Sequence, residues 1–214
     1  MARSGATPMP PKLVAGALCL EFANTADWHA SARPHESLKS YENLVAWCRR
    51  ADLLDAARAE RLLREARRRP AAAKTALRRT TALREAIYRI VVRLLRGGPP
   101  DRADLAVFNR ALASALRRSR VVSGRDGLAW TWEGDDRALD AMLWPIVESA
   151  AELLTSERRS RIGQCADDRG CGWLFLDATK NRSRRWCAMG DCGNRAKARR
   201  HYLRTRGRRA TRRS

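Results

Sequence analysis

At 214 residues and 44% hydrophobic content the chain can bury one core or two, which excludes a disordered tail protein. Its 44 Lys and Arg outnumber 23 Asp and Glu, and a formal charge of +21 predicts a polyanionic partner, nucleic acid ahead of a membrane surface. No run reaches the length of a membrane span, and the apolar stretch from Leu13 to Phe22 is short, carries Glu21 and has no convincing cleavage site, so a soluble cytoplasmic protein is expected.

Residues 1–12, with three prolines, read as a flexible leader. Helical periodicity dominates residues 13–155, which are expected to form a mostly helical domain. Tyr41 to Leu54 places Leu44, Val45, Trp47, Cys48 and Leu54 on one stripe, with Ser40 as the N-cap. Asp55 to Arg69 continues through Leu62 and Leu63 and halts before Pro70. A long helix runs from Ala71 to Arg96, stopped by Gly97, Gly98, Pro99 and Pro100, and Asp101 caps the next. At Arg120 the period changes. Val121 and Val122, a Gly-containing turn, then Leu128, Trp130 and Trp132 predict a β-hairpin with both tryptophans on one face. Helix is expected again from Asp136 to Leu154, kinked or bounded at Pro145. Cys19 and Cys48 fall in apolar surroundings and read as small buried hydrophobes.

The last quarter differs in kind. From Ser156 to Ser214 there are 18 basic and 5 acidic residues, against 26 and 18 in all that precedes, so most of the excess charge is local to this segment. Only five basic residues in the chain are Lys, and part of the Arg content is compositional background. Within the segment Cys165, Cys171, Cys187 and Cys192 form a C-x5-C pair and a C-x4-C pair. Without a secretory signal such a cluster reads as metal ligands rather than disulfides, and two close pairs joined by a hairpin-sized insert can set four thiolates around one Zn2+. The intervals are longer than the usual C-x2-C, and a four-thiolate site also suits an Fe–S cluster or a redox sensor. Gly172 to Asp177 alternates as a strand, with Arg184 to Cys187 as its expected partner. Asn194 is the expected N-cap of a helix from about Arg195 to Arg206. Knuckle, hairpin, then a helix bearing the last ligand is a treble-clef-like plan.

At 100° per residue Lys197, Arg200 and Arg204 share one side of that helix. With Arg195 and Arg199 they are the candidate contacts to phosphate or base, and Arg182, Arg184 and Arg185 form a second edge. The residues from 205 to 214 read as a basic tail, so the finger is taken as 156–204. Phosphate contacts position a protein without reading sequence, so base readers cannot be singled out.

The run Cys171-x-Trp173-x-Phe175-x-Asp177, Thr179-Lys180-Asn181, Arg185-Trp186-Cys187-x-Met189 and Cys192-Gly193-Asn194-Arg195-x-Lys197 closely resembles the CGNR zinc finger family. Leu18-Cys19-Leu20-Glu21-Phe22-x-Asn24-Thr25 resembles the signature of the ABATE domain, with Glu21 where that domain usually has Asp. The pair of resemblances covers nearly the whole chain. It implies a bacterial stress-related transcriptional regulator with one structural Zn2+ and DNA as partner. The helical domain would then sense an unidentified effector or dimerise. RNA or ribosome binding is the alternative within the nucleic-acid class. Enzymatic activity is not expected, because four thiolates close the coordination shell and neither H-x-E nor H-E-x-x-H is present. Glu21, Asn24 and Trp28 are the candidates for an effector pocket, weighed against a simple packing and capping cluster, which is preferred.

Overall fold

A computed structural model describes residues 14–124, 127–133 and 137–211. Seven α-helices and three short antiparallel strand pairs are found among them, a mainly α architecture with the expected small finger at the C-terminal end. The expected leader lies outside the described residues, as does the end of the expected tail at 212–214.

The order is α1 (Leu18–Ala23), β1 (Ala26–Asp27), β2 (His35–Glu36), α2 (Tyr41–Arg50), α3 (Ala56–Arg68), α4 (Pro70–Leu95) and α5 (Arg102–Arg118). Then come β3 (Ser119–Gly124), β4 (Gly127–Trp132), α6 (Leu143–Thr155), β5 (Ile162–Gln164), β6 (Leu174–Leu176) and α7 (Asn194–Thr211). The caps follow local chemistry: Ser40 Oγ accepts the Asn43 N–H and Asp55 Oδ1 the Arg58 N–H at 2.7 Å. Pro70 occupies the first turn of α4, where its missing N–H costs nothing. α4 is the spine of the domain. It packs against α1, α2, α3 and α5, while α6 lies against α1 and α5. Phe22, Leu44, Leu83, Ile87 and Ile146 are all fully buried at this junction. Each such side chain contributes roughly 1.5–3 kcal/mol relative to exposure.

Two expectations are corrected here. The helix expected from Asp136 begins only at Leu143, and Pro145 falls in its first turn, marking the boundary, one of its two expected roles. Strand β6 pairs not with Arg184 to Cys187 but with β5, in the register Ile162 to Leu176, Gly163 to Phe175 and Gln164 to Leu174. Gly163 explains the choice, because the Phe175 ring covers it so closely that a Cβ there would lie 2.7 Å from the ring. β1 and β2 form a further pair that two-residue strands give no periodicity to reveal.

A buried charge network also lies on α4. Arg84, its side chain 4% exposed, grips Glu36 through two 2.7 Å bonds and also reaches Glu85. Burial alone would raise the Glu85 carboxyl. Its hydrogen bond with His29 and its pairing with Arg84 outweigh that and hold it at about 2.

Candidate metal centre

Cys165 extends the β5 pairing by one residue, its N–H donating to the Trp173 carbonyl at 2.8 Å. The chain then turns through Asp167, which accepts the Arg169 N–H and whose carbonyl accepts the Gly170 N–H, and returns at Cys171. After β6, Asp177 closes the polar loop by accepting the Thr179 and Arg184 N–H groups at 2.8 and 2.9 Å. This carries the chain to Cys187. Cys192 follows in a π-helical turn, Met189–Gly193, that leads directly into α7. Asn194 is already helical there (φ −68°, ψ −40°), so it is the first helical residue and not the expected N-cap. Its amide donates back to the Gly190 carbonyl.

All four sulfurs are buried and lie within 4.8 Å of one another. The Cys171–Cys187 and Cys187–Cys192 separations are 3.7 and 3.6 Å. A tetrahedron with zinc–sulfur bonds of about 2.3 Å has edges of about 3.8 Å, so the cage fits one structural zinc ion. Thiols this close compete for protons. Hydrogen bonding from Cys171 holds Cys165 well below the usual thiol value, while the bond to Cys165 pushes Cys187 far above it. A dication with four thiolates removes that competition. By contrast burial, partly offset by a hydrogen bond with Ser149, pushes Cys19 up to about 11, and burial alone pushes Cys48 up to about 12, consistent with inert core thiols.

The charge of such a centre is offset by its neighbours. Arg195 donates to Cys192 Sγ at 2.9 Å, pairs with Asp191 and approaches Asp167 at 3.4 Å. Its guanidinium carbon and that of Arg169 each lie 5.3 Å from the Trp28 ring. Arg184 stacks on Phe175 at 4.4 Å and donates to the carbonyls of Val14, Leu176, Trp186 and Cys187. A guanidinium committed to four backbone oxygens is not free to grip phosphate. Arg184 is therefore corrected from a candidate contact to a brace of the module, and Arg195 serves the metal centre first. Arg199 pairs with Asp168. Arg182, Arg185, Lys197, Arg200 and Arg204 are exposed, and Lys197, Arg200 and Arg204 line one groove along α7 as the helical spacing predicts.

The candidate effector residues lie where the helical part meets this module. Asn24 donates to the Leu174 carbonyl at 2.9 Å and accepts the Leu174 N–H at 2.8 Å, acting as a one-residue strand on the free edge of β6. Glu21 accepts the Ala15 N–H at 2.6 Å, and the neighbouring Ala15 carbonyl accepts the Leu176 N–H. Trp28 adopts φ 56°, a strained conformation for a bulky residue, and the chain beyond it grips the knuckle through His29 N–H to Cys171 O and Ala30 N–H to Gly170 O. The Asn24 and Trp28 side chains thus make docking contacts with the finger, while Glu21 holds Ala15, whose carbonyl meets β6. Tyr88 of α4 completes the seam by donating to the Gly172 carbonyl, with His29 stacked on its ring. Sequence reading missed Tyr88, His29 and Arg84, since neither a helical stripe nor a loop gives a sign of which long-range partner a polar residue meets.

Gly172 makes this approach possible. Its φ is +68°, and a Cβ would lie 2.6 Å from Ala30 Cβ and 2.8 Å from Tyr88 Oη. Gly97, at φ +75°, has nothing within 4 Å of a Cβ. Gly97→Ala should therefore cost only the left-handed backbone penalty, about 1–2 kcal/mol. Gly172→Ala should add about 1–3 kcal/mol of overpacking. Denaturant unfolding of the two zinc-loaded variants checks this, and equal costs would mean that the seam yields without resistance.

Two family models match the chain. One, ABATE, described as "Putative stress-induced transcription regulator", covers residues 16–157. The other, the CGNR zinc finger, covers residues 161–205. No curated protein matches the sequence.

Proposed function

This chain belongs to the ABATE family and carries a CGNR zinc finger, and from that premise we propose that it is a cytoplasmic, zinc-dependent DNA-binding transcription regulator. The finger, taken as 156–204, makes the contact, and the helical part, 13–155, senses a signal or dimerises. One observation carries the reading. The basic groove of Lys197, Arg200 and Arg204 stands on a helix whose first turns are fixed by the metal centre, and among the described residues none of the three has an acidic partner. A straight basic helix held at its N-terminal end can follow the phosphates of a groove, with Arg182 and Arg185 on the adjoining loop as a second edge. Every protein ligand of the ion is a thiolate, which leaves no open position for a reacting water and supports a non-catalytic role. Among the described residues no helix is long and apolar enough to cross a membrane.

RNA is the second reading, favoured by Tyr202, which is 60% exposed on α7 and free to stack on an unpaired base. Competition at one fixed salt concentration separates the two. Labelled duplex DNA on the zinc-loaded protein should be displaced by unlabelled duplex at lower concentrations than by a structured RNA of equal phosphate number. Preferential displacement by the RNA would transfer the function to the second reading.

A further inference from the structure

Among the described strand pairs the hairpin β3–β4 stands apart. Its pairs run Ser119 to Trp132, Val121 to Trp130 and Ser123 to Leu128 on one face, and Arg120 to Thr131 and Val122 to Ala129 on the other. Apart from the residues at its base both strands are exposed on both faces. Leu128 is 79% exposed, Trp130 65% and Val121 53%, all on the first face, whose six paired residues among those described are uncharged. Trp132 and the Arg120–Glu133 ion pair anchor the base.

A two-stranded hairpin with neither face covered is marginal in water, and a packed face is what ordinarily stabilises one. The three side chains present on the order of 400 Å² of apolar surface, the size at which a patch marks an interaction site. In a chain of net charge +21 this face is where a second copy can approach without bringing guanidiniums together, whereas an acidic partner would be drawn to the Arg-rich surfaces instead. Self-contact buries the patch twice, about 800 Å², and the polar flanks of the hairpin bring the total toward the lower end of stable interfaces, about 1,200 Å². Adding strands edge to edge would leave Trp130 uncovered, so the apolar face itself must be the contact. We propose that the Val121, Leu128 and Trp130 face of this hairpin is a dimerisation surface, packing face to face on the same hairpin of a second copy about a two-fold axis.

The proposal rests on the helical part being the assembling part of the regulator and requires no nucleic acid. It is tested by sedimentation equilibrium of the zinc-loaded full chain in reducing buffer without DNA, at about 0.5 M salt, where charge repulsion is screened within a few ångströms. A concentration-dependent monomer–dimer equilibrium is expected. Trp130→Ser and Val121→Lys should each raise its dissociation constant at least about tenfold, as loss of a central interface residue does, with zinc content and helical circular dichroism unchanged. A readout without substitution is amide exchange at Val121, Leu128 and Trp130, which should slow as wild-type concentration rises. A wild type that stays monomeric to about 100 µM, a dimer indifferent to both substitutions, or exchange independent of concentration overturns the proposal. Failure of DNA binding with the dimer intact would instead count against the nucleic-acid reading alone.

Discussion

Cys187→Ser should melt the finger. The segment from Cys165 to Leu203 buries few large apolar side chains, chiefly Leu174, Phe175 and Leu176, and its loops are closed mostly by polar bonds such as those of Asp177. Such a segment depends on its ion, which in small Cys-rich fingers supplies on the order of 10 kcal/mol of coupled binding and folding free energy. Cys187 lies 3.7 Å from Cys171 and 3.6 Å from Cys192, so its loss removes one corner of the cage. The seam spreads the consequence. His29 and Ala30 donate to knuckle carbonyls and Asn24 holds β6, so the 24–31 segment should lose protection together with the finger. The core around Leu83, Ile87 and Ile146 has its own packing and should persist. Amide exchange before and after complete chelation, and in Cys187→Ser, measures this. A finger that stays protected without metal would refute a structural role for zinc.

Much of this was readable from residue order, and the readable part has a common physical origin. Helices α2 to α5 announce themselves by apolar spacing, and α2 and α3 by side-chain caps as well, because both signals lie within a turn or two of the residue concerned; Asp101 precedes α5 but its side chain makes no capping bond. The hairpin was visible for the same reason, as was the four-cysteine set. What failed was long-range pairing. The partner of β6 was expected in Arg184 to Cys187, near in sequence and β-compatible, but Gly163 offers a flat place for Phe175 and β5 wins. Arg184 looked like a phosphate contact because charge in a basic run usually faces solvent, and only the fold shows four carbonyls converging on it. The N-terminal signature carries the same lesson. Asn24 is conspicuous in the sequence, yet its partner Leu174 is 150 residues away.

The seam joins the helical part to the finger directly. β6 is bonded on one edge to β5 and on the other to Asn24 and Ala15, and the residue following Cys171 is held by Tyr88 of the central helix. α4 is thus joined to the knuckle by the Tyr88 bond to Gly172 and to β5 by the Gln164 bond to Tyr88. α7 follows the last ligand directly.

Replacing Lys197, Arg200 and Arg204 together with Ala should weaken duplex binding and flatten its salt dependence without disturbing the fold. None of the three touches the cage, and all three line the exposed groove of α7. For B-DNA each phosphate contact contributes about 0.9 to the slope of log K against log salt, so losing three reduces the slope by roughly 2.7. By the same relation the variant should bind on the order of 100-fold more weakly at about 0.15 M salt. Arg184→Ala is the contrasting case. Its guanidinium braces Val14, Leu176, Trp186 and Cys187, so its removal should lower zinc retention and stability before it touches the slope. Salt titrations of both variants, with zinc content measured alongside, separate a binding face from a structural brace. An unchanged slope in a folded, zinc-loaded triple variant would place the interface elsewhere, first on the loop that carries Arg182 and Arg185.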